Sequence, residues 1–175
     1  MDSTTLKYKF DWSLLGDIEE GRPNLGPLVG VDAYRLMQFS FRDVLERKYG
    51  TEVADEVFHE AGRLAGAEYA RNVIGDQPDL PTFVKAVQDS LRDSRIGLVR
   101  IEEAVPEEGR FVLTVSEDLD CSGLPELGYG VCTYDEGFIA ALLESHAGVR
   151  FEVEEVDCWC TGDRTCRFEA KLAVV

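Results

Sequence analysis

The chain has 175 residues, 45% of them hydrophobic, enough for one domain with a core of its own. Its 34 acidic and 18 basic residues give a net charge of −16, a field that repels nucleic acid and anionic membrane surfaces. No run of about 18 apolar residues is present, and the start, MDSTTLKYKFDWS, lacks the basic-then-apolar order of a signal peptide.

A cytoplasmic chain is therefore expected, in which thiols stay reduced. Five cysteines, an odd number, also fit a disulfide framework poorly. With no repeat or linker, residues 1–175 read as a single domain: an N-terminal arm (1–24), a mainly helical part (25–97), and a part of strands and one helix (98–172).

In chain order, a short apolar strand is expected near Leu28–Val31. The spacing then turns helical, with Tyr34, Met37, Phe41, Val44 and Leu45 on one face up to Gly50. Thr51 can cap a second helix through about residue 73. Gly62 and Gly66 lie one turn apart in it, and either let another helix approach or leave room for a ligand. A third helix starts at Pro78 and Pro81 and carries Phe83, Val84, Val87 and Leu91. LVRIEEAV and RFVLTVSE read as strands joined through PEEG. A fourth helix runs from Tyr134 to Gly148, followed by the strands VRFEVEEV and TCRFEAKLAV. In the last strand Cys166, Phe168 and Ala170 alternate with Arg167, Glu169 and Lys171. Helices first, then strands around one helix, predict an α+β fold with an antiparallel sheet.

Cys158, Cys160 and Cys166 crowd around the turn between the last two strands. The end of a hairpin brings side chains of both strands together, a common way to hold part of a zinc tetrahedron, and soft thiolates favour zinc or iron–sulfur over harder ions. Cys132 or Glu155 would add a ligand. Buried cysteines acting as small hydrophobes are the plainer alternative. A redox thiol is a third, disfavoured by Glu154, Glu155, Asp157 and Asp163 nearby.

The stretches YGVCTYDEGFIAALLES and FEVEEVDCWCTGDRTCRF resemble the 4-vinyl-reductase domain, a small ligand-binding domain of phenol- and xylene-sensing regulators and of a protein linked to bacteriochlorophyll synthesis. GRPNLGPLVGVDAYRLMQFSF resembles the part before it. The resemblance implies helices on one side of a twisted antiparallel sheet, as in subunits of Golgi tethering complexes, usually as a homodimer. It implies a structural zinc (Zn2+) on Cys132, Glu155, Cys158 and Cys166. Glu155 and Cys158 have opposite strand parity, so a bulge or an early strand end is needed between them. Cys160, of like parity with Cys158, is the spare ligand that would make a four-cysteine site, and Cys121 reads as a packed or exposed thiol.

The resemblance also implies an apolar pocket for a small hydrophobic or aromatic molecule, with Phe83, Val87, Phe111, Leu113, Tyr134 and Phe138 as candidate walls or ordinary core. The phenol sensors grip the hydroxyl with a histidine and a tryptophan. Here the only histidines, His59 and His146, fall outside the third helix, which favours a more apolar ligand. A zinc-stabilised sensor or carrier passing its signal to a separate output protein is the leading reading. A reductase or accessory factor acting on a tetrapyrrole vinyl group is the second; no GxGxxG or other nicotinamide or flavin motif supports it, and no catalytic residue is assigned. A structural adaptor without a small ligand is the third.

Overall fold

The structure is a computed structural model describing residues 8–173. The first seven residues of the expected arm and the last of the expected final strand lie outside the described residues. After a one-turn helix α1 (Ile18–Gly21), the main elements are α2 (Val31–Tyr49), α3 (Thr51–Tyr69), α4 (Leu80–Asp93), strands β1 (Leu98–Val105) and β2 (Arg110–Ser116), α5 (Thr133–Ala147), β3 (Phe151–Asp157) and β4 (Cys166–Leu172). The four strands form one antiparallel sheet in the order β1-β2-β4-β3. Helices α4 and α5 lie on its inner face, α3 packs over α5, and α2 lies beyond α3.

The alternation read from the sequence sets the sheet's two faces. Cys166, Phe168 and Ala170 are fully buried, while Arg167, Glu169 and Lys171 face outward. Phe111, Leu113, Phe151 and Val153 join them in the core beneath α5. The turn predicted at PEEG is a short 3-10 turn (Pro106–Glu108) closed by Gly109 in the left-handed region.

Gly62 and Gly66 serve helix packing. A Cβ on Gly62 would overlap the Tyr134 carbonyl, and one on Gly66 the Phe138 carbonyl. From the other side, Gly137 of α5 meets the His59 carbonyl. Three side-chain-free positions thus bring α3 and α5 backbone to backbone, and Arg63 ties the pair by donating to Glu144 at 2.6 Å.

Three expectations are corrected. No strand forms near Leu28–Val31, because Gly30 leads directly into α2. Thr51 is the first helical residue of α3 rather than its cap, the cap position being Gly50. The stripe of Met37, Phe41 and Val44 does share one face of α2, but that face is exposed. The opposite, polar face carries Tyr34, Arg35 and Gln38 onto the body of the protein.

Candidate functional site

Four chain segments bring sulfur to one point at the end of the sheet. Cys166 opens β4, Cys158 follows β3, Cys132 occupies the N-cap position of α5, and Cys121 comes from the loop after β2. All four are at most 1% exposed, and none forms a disulfide. Their sulfurs lie within 4.8 Å of one another. The Cys121–Cys166 separation is 3.1 Å, Cys132–Cys166 is 3.8 Å and Cys132–Cys158 is 4.0 Å. Four buried thiols so arranged can hold a metal ion.

The local backbone fixes this geometry. The β3–β4 register shifts between Glu155 and Asp157, the bulge that the parity of Glu155 and Cys158 required. It leaves Glu155 and Cys158 both turned inward. Thr161 Oγ1 accepts from the Cys158 amide, and the Cys160 amide donates toward Cys158 Sγ at 3.4 Å. Trp159 anchors the turn by donating Nε1–H to the Leu124 carbonyl, with the Arg164 guanidinium over its ring at 5.0 Å.

Of the expected ligands, Cys132, Cys158 and Cys166 converge, and the fourth sulfur is that of Cys121, not an oxygen of Glu155. Glu155 lies alongside: its Oε2 accepts from the Cys132 amide at 3.3 Å, while Oε1 is buried without a partner. Burial pushes the Glu155 carboxyl up to about 8. Cys160 is buried outside the sulfur cluster, and burial pushes its thiol up to about 12. Within the cluster, thiol donors from Cys121, Cys132 and Cys166 stabilise a thiolate at Cys158, which is held far below the ordinary thiol range. Donation from Cys132, first to Cys121, pushes Cys132 far up, as the contact with Cys121 does Cys166.

Beside the sulfurs is a carboxylate group that the sequence reading did not single out. Asp118 and Asp120 are buried. Asp118 Oδ1 accepts from the amides of Asp120 and Cys121 at 2.7 and 3.1 Å. Asp120 accepts from Tyr34 Oη at 2.8 Å and Gln38 Nε2 at 2.6 Å. Asp135 completes the group, and its Oδ2 is buried without a partner. Burial, then the neighbouring Asp120 charge, pushes Asp118 up to about 7 and Asp135 well above the usual carboxylate range.

At the other end of the inner face, α4, α5, β1 and β2 enclose a wholly apolar cavity of about 50 Å³. Phe83, Val87, Phe111 and Leu113 line it together with Ile139 and Leu142. Tyr134 and Phe138 do not: they stack on each other along α5, and Phe138 packs against Tyr69 at the end of α3. His146, at the last turn of α5, stacks on Phe83 at 4.5 Å. Trp12 packs edge-on against Tyr69 of its own chain.

A four-stranded antiparallel sheet with its helices on one face, a sulfur cluster at one end and an apolar cavity at the other, defines an α+β ligand-domain fold. Residues 111–172 match the family model of the 4-vinyl-reductase domain, and the chain carries that domain. Two uncharacterized proteins of Methanocaldococcus jannaschii are 25% identical over 107 residues and 28% identical over 88. The aligned stretches cover 61% and 50% of this chain and 61% and 52% of theirs, so the chain spans little more than half the length of these relatives.

Three solved structures share the fold. A vinyl-4-reductase family protein from M. jannaschii superposes with a TM-score of 0.61 at 16% identity, covering 85% of each chain. The phenol-responsive sensory domain of the transcription activator PoxR, solved with phenol, gives 0.61 at 17%, covering 83% of this chain and 76% of its own. Trafficking protein particle complex subunit 3 from Naegleria fowleri, covalently bound to palmitic acid, gives 0.63 at 14%, covering 82% and 95%. Among the described residues no helix is long and apolar enough to cross a membrane.

Proposed function

We propose that this domain is a zinc-stapled receptor for a small hydrophobic molecule, acting as a sensor or carrier in the cytoplasm. The observation that carries the ligand half is the apolar cavity, because four of the six residues expected to wall a pocket meet there. A cavity of about 50 Å³ is smaller than the roughly 150 Å³ that admits benzene. An aromatic or alkyl ligand therefore enters with displacement of α4 side chains. The lining offers no polar group, so shape and apolar area select the ligand. The phenol and palmitic acid held by the two structural neighbours are in keeping with such an occupant.

The zinc half rests on the donor set. A zinc–sulfur bond of about 2.3 Å gives a tetrahedron edge of about 3.8 Å. The measured sulfur separations of 3.1 to 4.0 Å bracket that value. Cys121, Cys132, Cys158 and Cys166 would hold the ion, with Glu155 orienting the backbone beside Cys132. Four protein ligands leave no open position, so the ion supplies a structural clamp joining β4, the end of β3, the start of α5 and the loop after β2.

The exposed apolar face of α2 supports a homodimer. Leu36, Met37 and Phe41 are 74%, 66% and 54% exposed, while the polar side of the same helix is turned inward. Any signal would then pass to a separate output protein through the dimer.

Native mass spectrometry of gently purified protein, with metal analysis and organic extraction of the same sample, tests this reading. Retained zinc and a releasable apolar compound are expected. Zinc without an organic molecule would move the reading to a stapled adaptor, and absence of metal together with reactive thiols would overturn the staple.

A further inference from the structure

We infer that the domain holds a second divalent cation, bound by Asp118, Asp135 and Cys132, with the Cys132 sulfur shared between this ion and the four-cysteine site. The inference rests on the four-cysteine site being metal-loaded, and it adds a ligand set distinct from that site.

The placement is specific. One oxygen of Asp118, one oxygen of Asp135 and Cys132 Sγ all lie within 4.8 Å of one another, so a single ion can draw them together. Asp118 is already oriented: its Oδ1 is fixed by the Asp120 and Cys121 amides, leaving the other oxygen free to turn to a cation. Asp135 supplies the independent observation. Its Oδ2 is sealed from solvent and has no hydrogen-bond partner, and burying such an oxygen unpaired costs several kcal/mol in order of magnitude.

Charge balance points the same way. A divalent ion on four thiolates still carries a net charge of about −2. Asp118, Asp120, Asp135 and Glu155 crowd against that centre. The cation facing them from α2 is Arg35, whose guanidinium spends its hydrogen bonds on the carbonyls of Leu119, Asp118 and Ser122. Asp120 is satisfied by Tyr34 and Gln38, so Asp118 and Asp135 are the oxygens open to an ion. Two carboxylate oxygens and one thiolate form a borderline donor set suited to zinc or a neighbouring first-row divalent metal. With three protein ligands, this site keeps a position for water.

Full-length protein loaded with cadmium-113 and read by cadmium NMR decides the matter, since each environment gives its own resonance. The wild type should show two resonances, one for four sulfurs and one for a mixed oxygen–sulfur site, split by coupling through the shared sulfur. An ion adsorbed on the acidic surface would show no such coupling. Asp135→Asn should lose the mixed-site resonance and keep the four-sulfur one, and Asp118→Asn, which retains the oxygen facing the two amides, should do the same. Native mass spectrometry under zinc titration should correspondingly fall from two tightly held ions to one. A wild type that saturates at one cadmium on four sulfurs overturns this inference and leaves the staple standing. Two coupled resonances persisting in both variants also overturn it. A wild type binding no metal overturns both readings together.

Discussion

The two ends of the sheet's inner face are built on opposite principles. At the sulfur end, four segments remote in sequence meet through directional groups: thiols, amides aimed at sulfur, and carboxylates held by amide, tyrosine and glutamine donors. At the cavity end, α4 meets the sheet through Phe83, Val87, Leu91 and the strand residues facing them, contacts that have no preferred direction. Directional ends are stiff and fail all at once, whereas apolar ends can be repacked at modest cost. The domain thus places its ligand space where the structure can yield, and clamps the end that cannot.

The sharpest way to break this contrast is at the clamp. Cys166→Ser removes the ligand that opens β4 and approaches two other sulfurs. Structural zinc contributes on the order of 10 kcal/mol to folding in small domains, so this variant should lose its cooperative thermal transition, as should the wild type treated with a strong chelator. Circular dichroism melts with and without added zinc measure it. An unaltered melting temperature in the variant would remove the clamp from the argument.

At the compliant end, Leu113→Ala should cost about 2–5 kcal/mol yet remain folded, because α4 can settle into the space. The enlarged cavity should take up a small aromatic probe such as toluene more readily than the wild type does. The check is the rise in melting temperature on adding toluene, which should be larger for Leu113→Ala; an equal or smaller rise would show that the cavity is core only. Between the two ends, Gly66→Ala pushes a methyl group toward the Phe138 carbonyl across the α3–α5 crossing. The cost should be about 1–3 kcal/mol, read from urea midpoints, with zinc content unchanged.

Much of this plan was legible in the sequence because it obeys local periodicity. The β4 alternation, the hairpin turn and the bulge demanded by Glu155 and Cys158 all follow from parity along one strand. Cys121 was not legible as a partner of Cys166, since 45 residues separate them and only the path of the loop after β2 joins their sulfurs. The loop's Asp118 and Asp120 gave no signal for the same reason, being paired by folding and not by spacing. The cavity was half legible. Phe111 and Leu113 share a strand face, but α5 is apolar almost all round, with α3 on one side and the sheet on the other. Periodicity there cannot tell Ile139 and Leu142, which face the cavity, from Tyr134 and Phe138, which face away.

Helix α2 poses the remaining question, since periodicity gives a stripe but not its direction. Met37, Phe41 and Val44 form a coherent apolar face, yet the core claims the other side of the helix, where Tyr34 and Gln38 hold Asp120 and Arg35 holds the carbonyls of the following loop. Outward apolar side chains have little to lose in the monomer, so Phe41→Glu should change unfolding free energy by no more than about 0.5 kcal/mol. If the face joins a second copy, the same substitution should abolish self-association in sedimentation experiments. Because the chain carries a net charge of −16, association of the wild type should strengthen as salt screens the repulsion between copies. A wild type that stays monomeric at high salt would detach this face from dimerisation, and a Phe41→Glu variant that still dimerises would place the interface elsewhere.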